Sequence, residues 1–540
     1  MTTRRTRLRR LVAATVAVAL IAACGSDDDG NTDPPPPDDT PATDPAPPDE
    51  DADADDEAPG EANGPTGTIR VGALADRGTF DPHQSEIGHQ LQYLQPAYDT
   101  LLRLTADGEI VPMLATGWSY LDDENTVLEL TLRDDVRFID GEVFDAEAVK
   151  LNIERGLSLP GPRAGALAAV DNVEVIDPTT VHLELSAPSP VLLLELTSVM
   201  AMMVSPAAFD NEDLDRRPVG SGPYVFDDAA SSAGDLYVFT SNPDYWDPTL
   251  QGVERIELRV LGDEDARLNA IIAGQVDIGA GAPTQIAQAE GSGLEVLTGL
   301  VNWFGFVLAD RDGSLVPALS EVDVRRAMNH AIDREAIVSA VALDQGFPTT
   351  QIFPATSAAN TDDVNELYPY DPDLARALLA DAGFADGFSF TVPTVAGLST
   401  YAEAVAGYLA EVGIEMNIQI IDAGLIETWF SGEAPIPNVV FGGRHPYEMS
   451  NLFILESGTF NPFRTADPTV EELFAAAVAA GTEDEQMEAF AELNRYVTEQ
   501  AWFMTTHFQD AIYFVGPNAS GVEMYPSQVV PSIYGWRVNS

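Results

Sequence analysis

A single cysteine, Cys24, stands in a chain of 540 residues, so whatever this sequence folds into closes without a disulfide, a cysteine-ligated metal or a thiol nucleophile. The fold must rest on its hydrophobic core alone. Roughly 475 residues follow position 66, enough for two or three lobes of ordinary domain size.

Cys24 directly follows an apolar run, residues 11–23, which itself follows Arg4, Arg5, Arg7, Arg9 and Arg10. A basic start, a short apolar segment and small residues before the cysteine describe an export signal, whereas a membrane span needs about 20 apolar residues. Ile21, Ala22, Ala23 and Cys24 resemble the bacterial lipobox, in which the thiol is lipidated and the cysteine becomes the mature N-terminus. An ordinary signal peptide that contains a cysteine is the alternative, and Arg4-Arg5 leaves twin-arginine export open. The expected product is extracytoplasmic. Lipid on Cys24 would tether it to the outer face of the cytoplasmic membrane, periplasmic or cell-surface.

Residues 25–65 hold fifteen acids and many prolines, with no basic, aromatic or branched aliphatic side chain. Such a segment buries too little apolar surface to offset chain entropy and is expected to be a disordered stalk over 24–66. Proline and like-charge repulsion would extend it to a reach of about 100 Å, and an acidic recognition tail is the other reading. The chain carries −60 overall; without the five leading arginines and the fifteen linker acids about −50 remains on the folded part. That surface repels nucleic acid and anionic lipid. Lys150 is the only lysine, a bias that fits a saline habitat or a GC-rich genome.

Local patterns indicate a mixed α/β protein. Residues 68–74 alternate as a half-buried strand, and Leu128, Leu130 and Leu132 alternate with Glu129, Thr131 and Arg133 before a turn at Asp140-Gly141. Asp371, Pro372 and Gly383 predict a helix with an N-cap, a proline at its first position and a glycine stop. Asp263 and Gly274 bracket a second helix, followed by a short strand over 275–278.

An ordered set of motifs then runs along the chain: YDTLLRLTADGEIVP at 98–112, LTLRDDVRFIDGEVF at 130–144, GSGPY at 220–224, NPDYW at 242–246, GQVDI at 274–278, VRRAM at 324–328 and AIDR at 331–334. Together they resemble the extracytoplasmic solute-binding proteins of peptide, nickel and opine ABC importers, solute-binding protein family 5, in lipoprotein form. The resemblance implies a two-lobed periplasmic-binding-protein-like fold, type II and cluster C, with an extra domain. It assigns 67–105, 217–302 and 509–540 to lobe I, 106–216 to the extra domain and 303–508 to lobe II, with crossings at 301–304 and 507–509. The aromatic motif residues Tyr98, Trp118, Tyr224 and Trp246 read as packing, since bulky rings at turn-rich joints fill cores more often than they meet ligands.

By the same resemblance the cleft is lined by Trp303 and Phe304, by Phe508, and by the strand end FGGRHPY at 441–447, which supplies Arg444, His445 and Tyr447; Glu448 follows. Peptide binders of the family usually carry an Asp there, whose carboxylate pairs with the peptide ammonium. This chain has no Asp between Asp422 and Asp467. Either Glu448 takes the ammonium, or the solute has none, or the alignment is shifted by a few residues. Arg444 could pair with an anionic group of the solute through its planar fork, or equally with an acid of the protein.

The sequence has no Gly-x-Ser-x-Gly elbow, no His-Glu-x-x-His and no P-loop, so no enzyme is expected. Its six histidines are scattered, and His83 and His89 read as surface groups in a loop rather than metal ligands. No cofactor and no metal are expected. The resemblance implies instead capture of a peptide or peptide-like small solute and its delivery to an ABC permease and ATPase complex. A nickel chelate, an opine or an oligosaccharide is the alternative solute. A surface receptor or adhesin that keeps the fold without transport is the alternative role.

Overall fold

Two long strands, Glu295–Val307 and Phe503–Val515, pair antiparallel along their whole length and form the spine of the molecule. They belong to a computed structural model that describes residues 64–539, apart from 86–87, 160–162, 164, 396–397, 422–431 and 526–527. The export signal, Cys24 and nearly all of the acidic stalk lie outside the described residues. Along the spine the register shifts between Leu300 and Asn302 and again between Phe304 and Gly305.

On one side of the first shift, Phe503–Val515 continues into Ile278–Gly281, then Thr68–Ala73, Arg255–Val260, Leu236–Ser241 and Tyr224–Phe226. Thr68–Ala73 runs parallel to both of its neighbours. On the other side, Glu295–Val307 pairs with Asn438–Gly442, and Phe503–Val515 with the short strand Phe347–Pro348. One sheet thus feeds two lobes.

Local chemistry explains the elements. Asp371 caps the helix Pro372–Asp381 by accepting the Leu374 N–H, and Gly383 follows its end at φ +88°, in the left-handed region that suits glycine. Asp263 caps Glu264–Ile272 through the Ala266 N–H, and Gly274 ends it at φ +66°. The strand expected over 275–278 begins only at Ile278, because the Gln275 and Val276 N–H groups both reach back to the Ala270 carbonyl and finish the helix first. Gly141 turns at φ +92° and donates to the Phe138 carbonyl, placing the expected turn.

Between residues 115 and 185 the strands Ala115–Tyr120, Val127–Leu132, Thr180–Leu185 and Val170–Asp177 form a separate antiparallel sheet in that order, with Ala146–Ser158 beside Val170–Asp177 and Thr180–Leu185. Leu128, Leu130 and Leu132 face inward, as their alternation requires. This insert shares one core with the first lobe, from Ile69 and Tyr98 through Ile153 and Leu196 to Trp536. The second lobe has two cores of its own, one around Phe306, Met328 and Leu409 and one around Trp303, Phe453 and Phe490.

Asp99 ties several of the motifs together. Fully buried, it accepts hydrogen bonds from Ser221 Oγ at 2.9 Å, Tyr245 Oη at 2.9 Å and Trp246 Nε1 at 3.0 Å. Burial pushes its carboxyl up to about 6, against the pull of those three donors. Tyr98 and Tyr224 are buried in the same core and Trp118 and Trp246 pack at its edge, so the aromatic motif residues do serve packing. The surface placement of His83 does not hold. Its ring is fully buried beside Arg155, which also forks onto Asp81 at 2.8 and 2.9 Å.

Candidate functional site

The strand Asn438–Gly442 is the edge of the spine sheet in the second lobe, and the chain turns sharply where it ends. Pro446 opens a one-turn helix, Pro446–Met449, where a missing N–H costs nothing. His445 caps that turn: its Nδ1 accepts the Tyr447 N–H at 3.1 Å, which fixes the neutral tautomer with the proton on Nε2. Burial pulls the His445 imidazole down to about 4, so it stays neutral at physiological pH. The turn projects Glu448 back toward Arg444, whose guanidinium lies 5.1 Å over the Phe441 ring and 3.4 Å from Glu448 Oε1.

The insert meets this turn with opposite charge. Arg163, between the helix Ala146–Ser158 and the strand Val170–Asp177, places Nη1 at 3.2 Å from Glu448 Oε1 and Nη2 at 2.6 Å from Glu195 Oε1. Glu195 closes the short helix Leu192–Glu195. Arg163 is only 7 % exposed and Glu195 2 %, so the group works in a low-dielectric setting where removing one partner is costly. Burial acts against charge on Arg163, but Glu195 and Glu448 more than offset it and keep the guanidinium protonated. Burial, reinforced by nearby Glu448, pushes the Glu195 carboxyl up.

These side chains wall a cavity of about 90 Å³. Gln95, Arg103, Gln528, Ser532 and Tyr534 line it, together with Arg163, with Leu194 and Glu195 of the short helix, and with Arg444, His445 and Glu448 of the turn after Asn438–Gly442. Leu194 and His445 also border a second space of about 690 Å³, which Tyr120, Asp123, Pro190, Gly481, Glu483 and Gln486 help to line. The smaller cavity has room for a polar head group, and the larger space is of the size that takes a whole small ligand.

Among the described residues, five buried polar atoms on the inner wall have no hydrogen-bond partner: Arg163 Nε, Glu195 Oε2, Gln95 Oε1, Gln528 Oε1 and Ser532 Oγ. Buried polar groups in folded proteins are nearly always satisfied, so five orphans among the residues lining one cavity call for partners from outside the chain, water or solute.

Of the residues read from the sequence, Arg444, His445 and Glu448 come together on this wall. Trp303, Phe304, Tyr447 and Phe508 lie elsewhere. Trp303 is fully buried edge-on to Phe453, with ring centroids 5.4 Å apart, and Phe508 is buried and stacks on Phe347 at 5.4 Å. Phe304 stacks on His507 at 4.7 Å, and Tyr447 on Phe474 at 5.5 Å. Arg444 is paired with an acid of the protein itself, Glu448. The sequence reading missed Arg163, Glu195, Gln95, Arg103 and Gln528. Glu195 did carry a signal: it is the one charged residue between Glu184 and Asp210.

The profile of the bacterial extracellular solute-binding proteins, family 5 Middle, matches residues 109–461. The glutathione-binding protein GsiB of Salmonella paratyphi A is 26 % identical over 473 residues, spanning 83 % of this chain and 90 % of its own length. Among solved structures, the periplasmic binding protein DppA from Helicobacter pylori in complex with the peptide STSA matches with a TM-score of 0.74 at 19 % identity, over 88 % of this chain and 99 % of that one. NikA from Brucella suis in complex with Fe(III)-EDTA matches with a TM-score of 0.76 at 21 % identity, over 88 % and 100 %. Likeness at that identity shows the two-lobed α/β fold. With the profile matching more than half of the chain, the protein belongs to the bacterial extracellular solute-binding proteins of family 5.

Proposed function

We propose that this protein is the lipid-anchored solute-binding component of an ABC importer, which captures a peptide or peptide-like solute between its lobes and hands it to the permease and ATPase complex. One observation carries the reading: a polar cavity where both lobes and the insert meet, ringed by orphan hydrogen-bonding atoms and spanned by the Arg163–Glu448 ion pair. A solute that satisfies those atoms binds the closed arrangement better than the open one, and that difference drives closure. Peptides suit the wall because they bring ammonium, amide and carboxylate groups to a surface of glutamates, amide side chains and arginines.

The anchor in this reading is lipid on Cys24, with residues 24–66 as the stalk on the outer face of the cytoplasmic membrane. The lobe boundaries in it are 67–105, 217–302 and 509–540 for lobe I, 303–508 for lobe II and 106–216 for the extra domain. The separate cores of the second lobe support the division, while the core shared by the insert and the first lobe makes those two move as one body. Hinge motion then falls on the two spine strands near the register shift at Leu300 and Asn302.

The test is to purify the mature protein under native conditions, release what it holds with acid and identify it by mass spectrometry. A small peptide or amino-acid conjugate is the expected result. A nickel chelate, an opine or an oligosaccharide would overturn the peptide reading.

A further inference from the structure

The orphan atoms of the inner cavity are not a random mixture. Three of them, Glu195 Oε2, Gln95 Oε1 and Gln528 Oε1, are acceptors. Glu448, the sequence-based candidate for an ammonium partner, is already engaged by both Arg163 and Arg444 through Oε1. Glu195 has one arginine on Oε1 and nothing on Oε2, and it is more deeply buried, 2 % exposed as a residue. On the same wall, Arg103 makes no ion pair and no hydrogen bond among the described residues; its guanidinium lies 5.6 Å over the Tyr534 ring.

We propose that Glu195 of the insert, with the amide oxygens of Gln95 and Gln528, binds a primary ammonium of the solute, while Arg103 and the Arg163 Nε–H bind its anionic or carbonyl oxygen. A protonated amine has three N–H donors and no acceptor, and three residues lining this cavity each carry an acceptor without a partner. The carboxylate supplies the countercharge that burying an ammonium requires. Specificity for an α-amino head then resides in the insert and first lobe, and the second lobe closes over it through Glu448, Arg444 and His445. This assignment rests on the peptide reading above and adds which end of the peptide is read and by what.

The test is calorimetry on the purified mature protein with four probes: trialanine, glutathione and their N-acetylated forms. Wild type binds at least one free-amine peptide about thirtyfold or more tighter than its acetylated form, the size expected for a desolvated charge pair. Glu195→Gln loses that preference, Glu195→Asp restores most of it, and Glu448→Gln weakens both forms alike while keeping the preference. Gln528→Leu, which leaves the ion pairs intact, reduces the preference and keeps the test open if Glu195→Gln does not fold. A preference that survives Glu195→Gln and vanishes in Glu448→Gln overturns the assignment. A wild type that binds free and acetylated peptides equally overturns it and leaves the peptide reading standing. A wild type that binds none of the four overturns both.

Discussion

Arg163 Nη1 lies 3.2 Å from Glu448 Oε1, joining residues 285 positions apart and bringing the insert onto the second lobe. Among the described residues the same guanidinium makes the one ion pair of Glu195, whereas Glu448 also has Arg444 at 3.4 Å. Arg163 and Arg444 are therefore unequal, and the inequality is measurable.

Replacing Arg163 with Met strands the buried Glu195 carboxylate and breaks the bridge to the second lobe at once. Loss of one partner from a buried pair costs about 3 to 5 kcal/mol. Replacing Arg444 with Met leaves Glu448 its bridge to Arg163 and should cost about 1 kcal/mol. Urea denaturation of both variants measures the difference, and small-angle scattering should show the solute-free Arg163→Met protein expanded relative to wild type. Equal losses would mean that Arg163 is not the hub.

Acid stability depends on buried titrating groups of opposite sign. Burial pulls His83, His445 and His507 down to about 4, so each binds its proton in the unfolded chain, near 6.5, before it does so in the folded one. Asp99 runs the other way: pushed up to about 6 from 3.8, it binds its proton earlier in the folded state. Stability falls wherever the unfolded state takes up more protons as pH drops. The three histidines outweigh Asp99 and Glu195, whose carboxyl burial also raises, so the melting temperature should fall from pH 6.5 toward pH 4. Asp99→Asn removes the opposing contribution and should make the fall steeper. A flat profile over that window would contradict the burial of the histidines.

Much of the fold was legible because its signals are local. Asp263, Asp371, Gly274 and Gly383 act within one helical turn of themselves, and each ends or caps a helix as its chemistry dictates. The site was legible only in part, since Arg163, Glu195 and Glu448 meet through tertiary packing that no spacing encodes. Trp303 and Phe304 show a second limit. Alternate residues of a strand face opposite ways, so Trp303 and Val307 enter one second-lobe core while Phe304 and Phe306 join the other, and neither core is the cavity wall. That assignment needs the strand's register and neighbours, and aromatic character alone does not supply it.

The proposed membrane anchor is lipid on Cys24, which is remote in sequence from every described element of the fold. Cys24→Ser should move the protein from the membrane fraction to the soluble extracytoplasmic fraction with its melting temperature unchanged. Retention on membranes after a high-salt wash would show a different anchor.

Charge should also be visible in stability. With about −50 on the folded part, self-repulsion weakens as the Debye length shrinks from about 10 Å at 0.1 M salt to about 3 Å at 1 M. The melting temperature should rise across that range of sodium chloride. No rise would mean that local pairs already balance the acids.

The most direct measurement is a crystal structure of the protein carrying the solute it retains on purification. Solute density should fill the cavity bounded by Glu195, Arg163 and Arg103 on one side and Arg444 and Glu448 on the other, with an amine nitrogen within hydrogen-bond reach of Glu195 Oε2. Density lodged instead against Trp303 and Phe508, or outside the space between the lobes, would contradict the site.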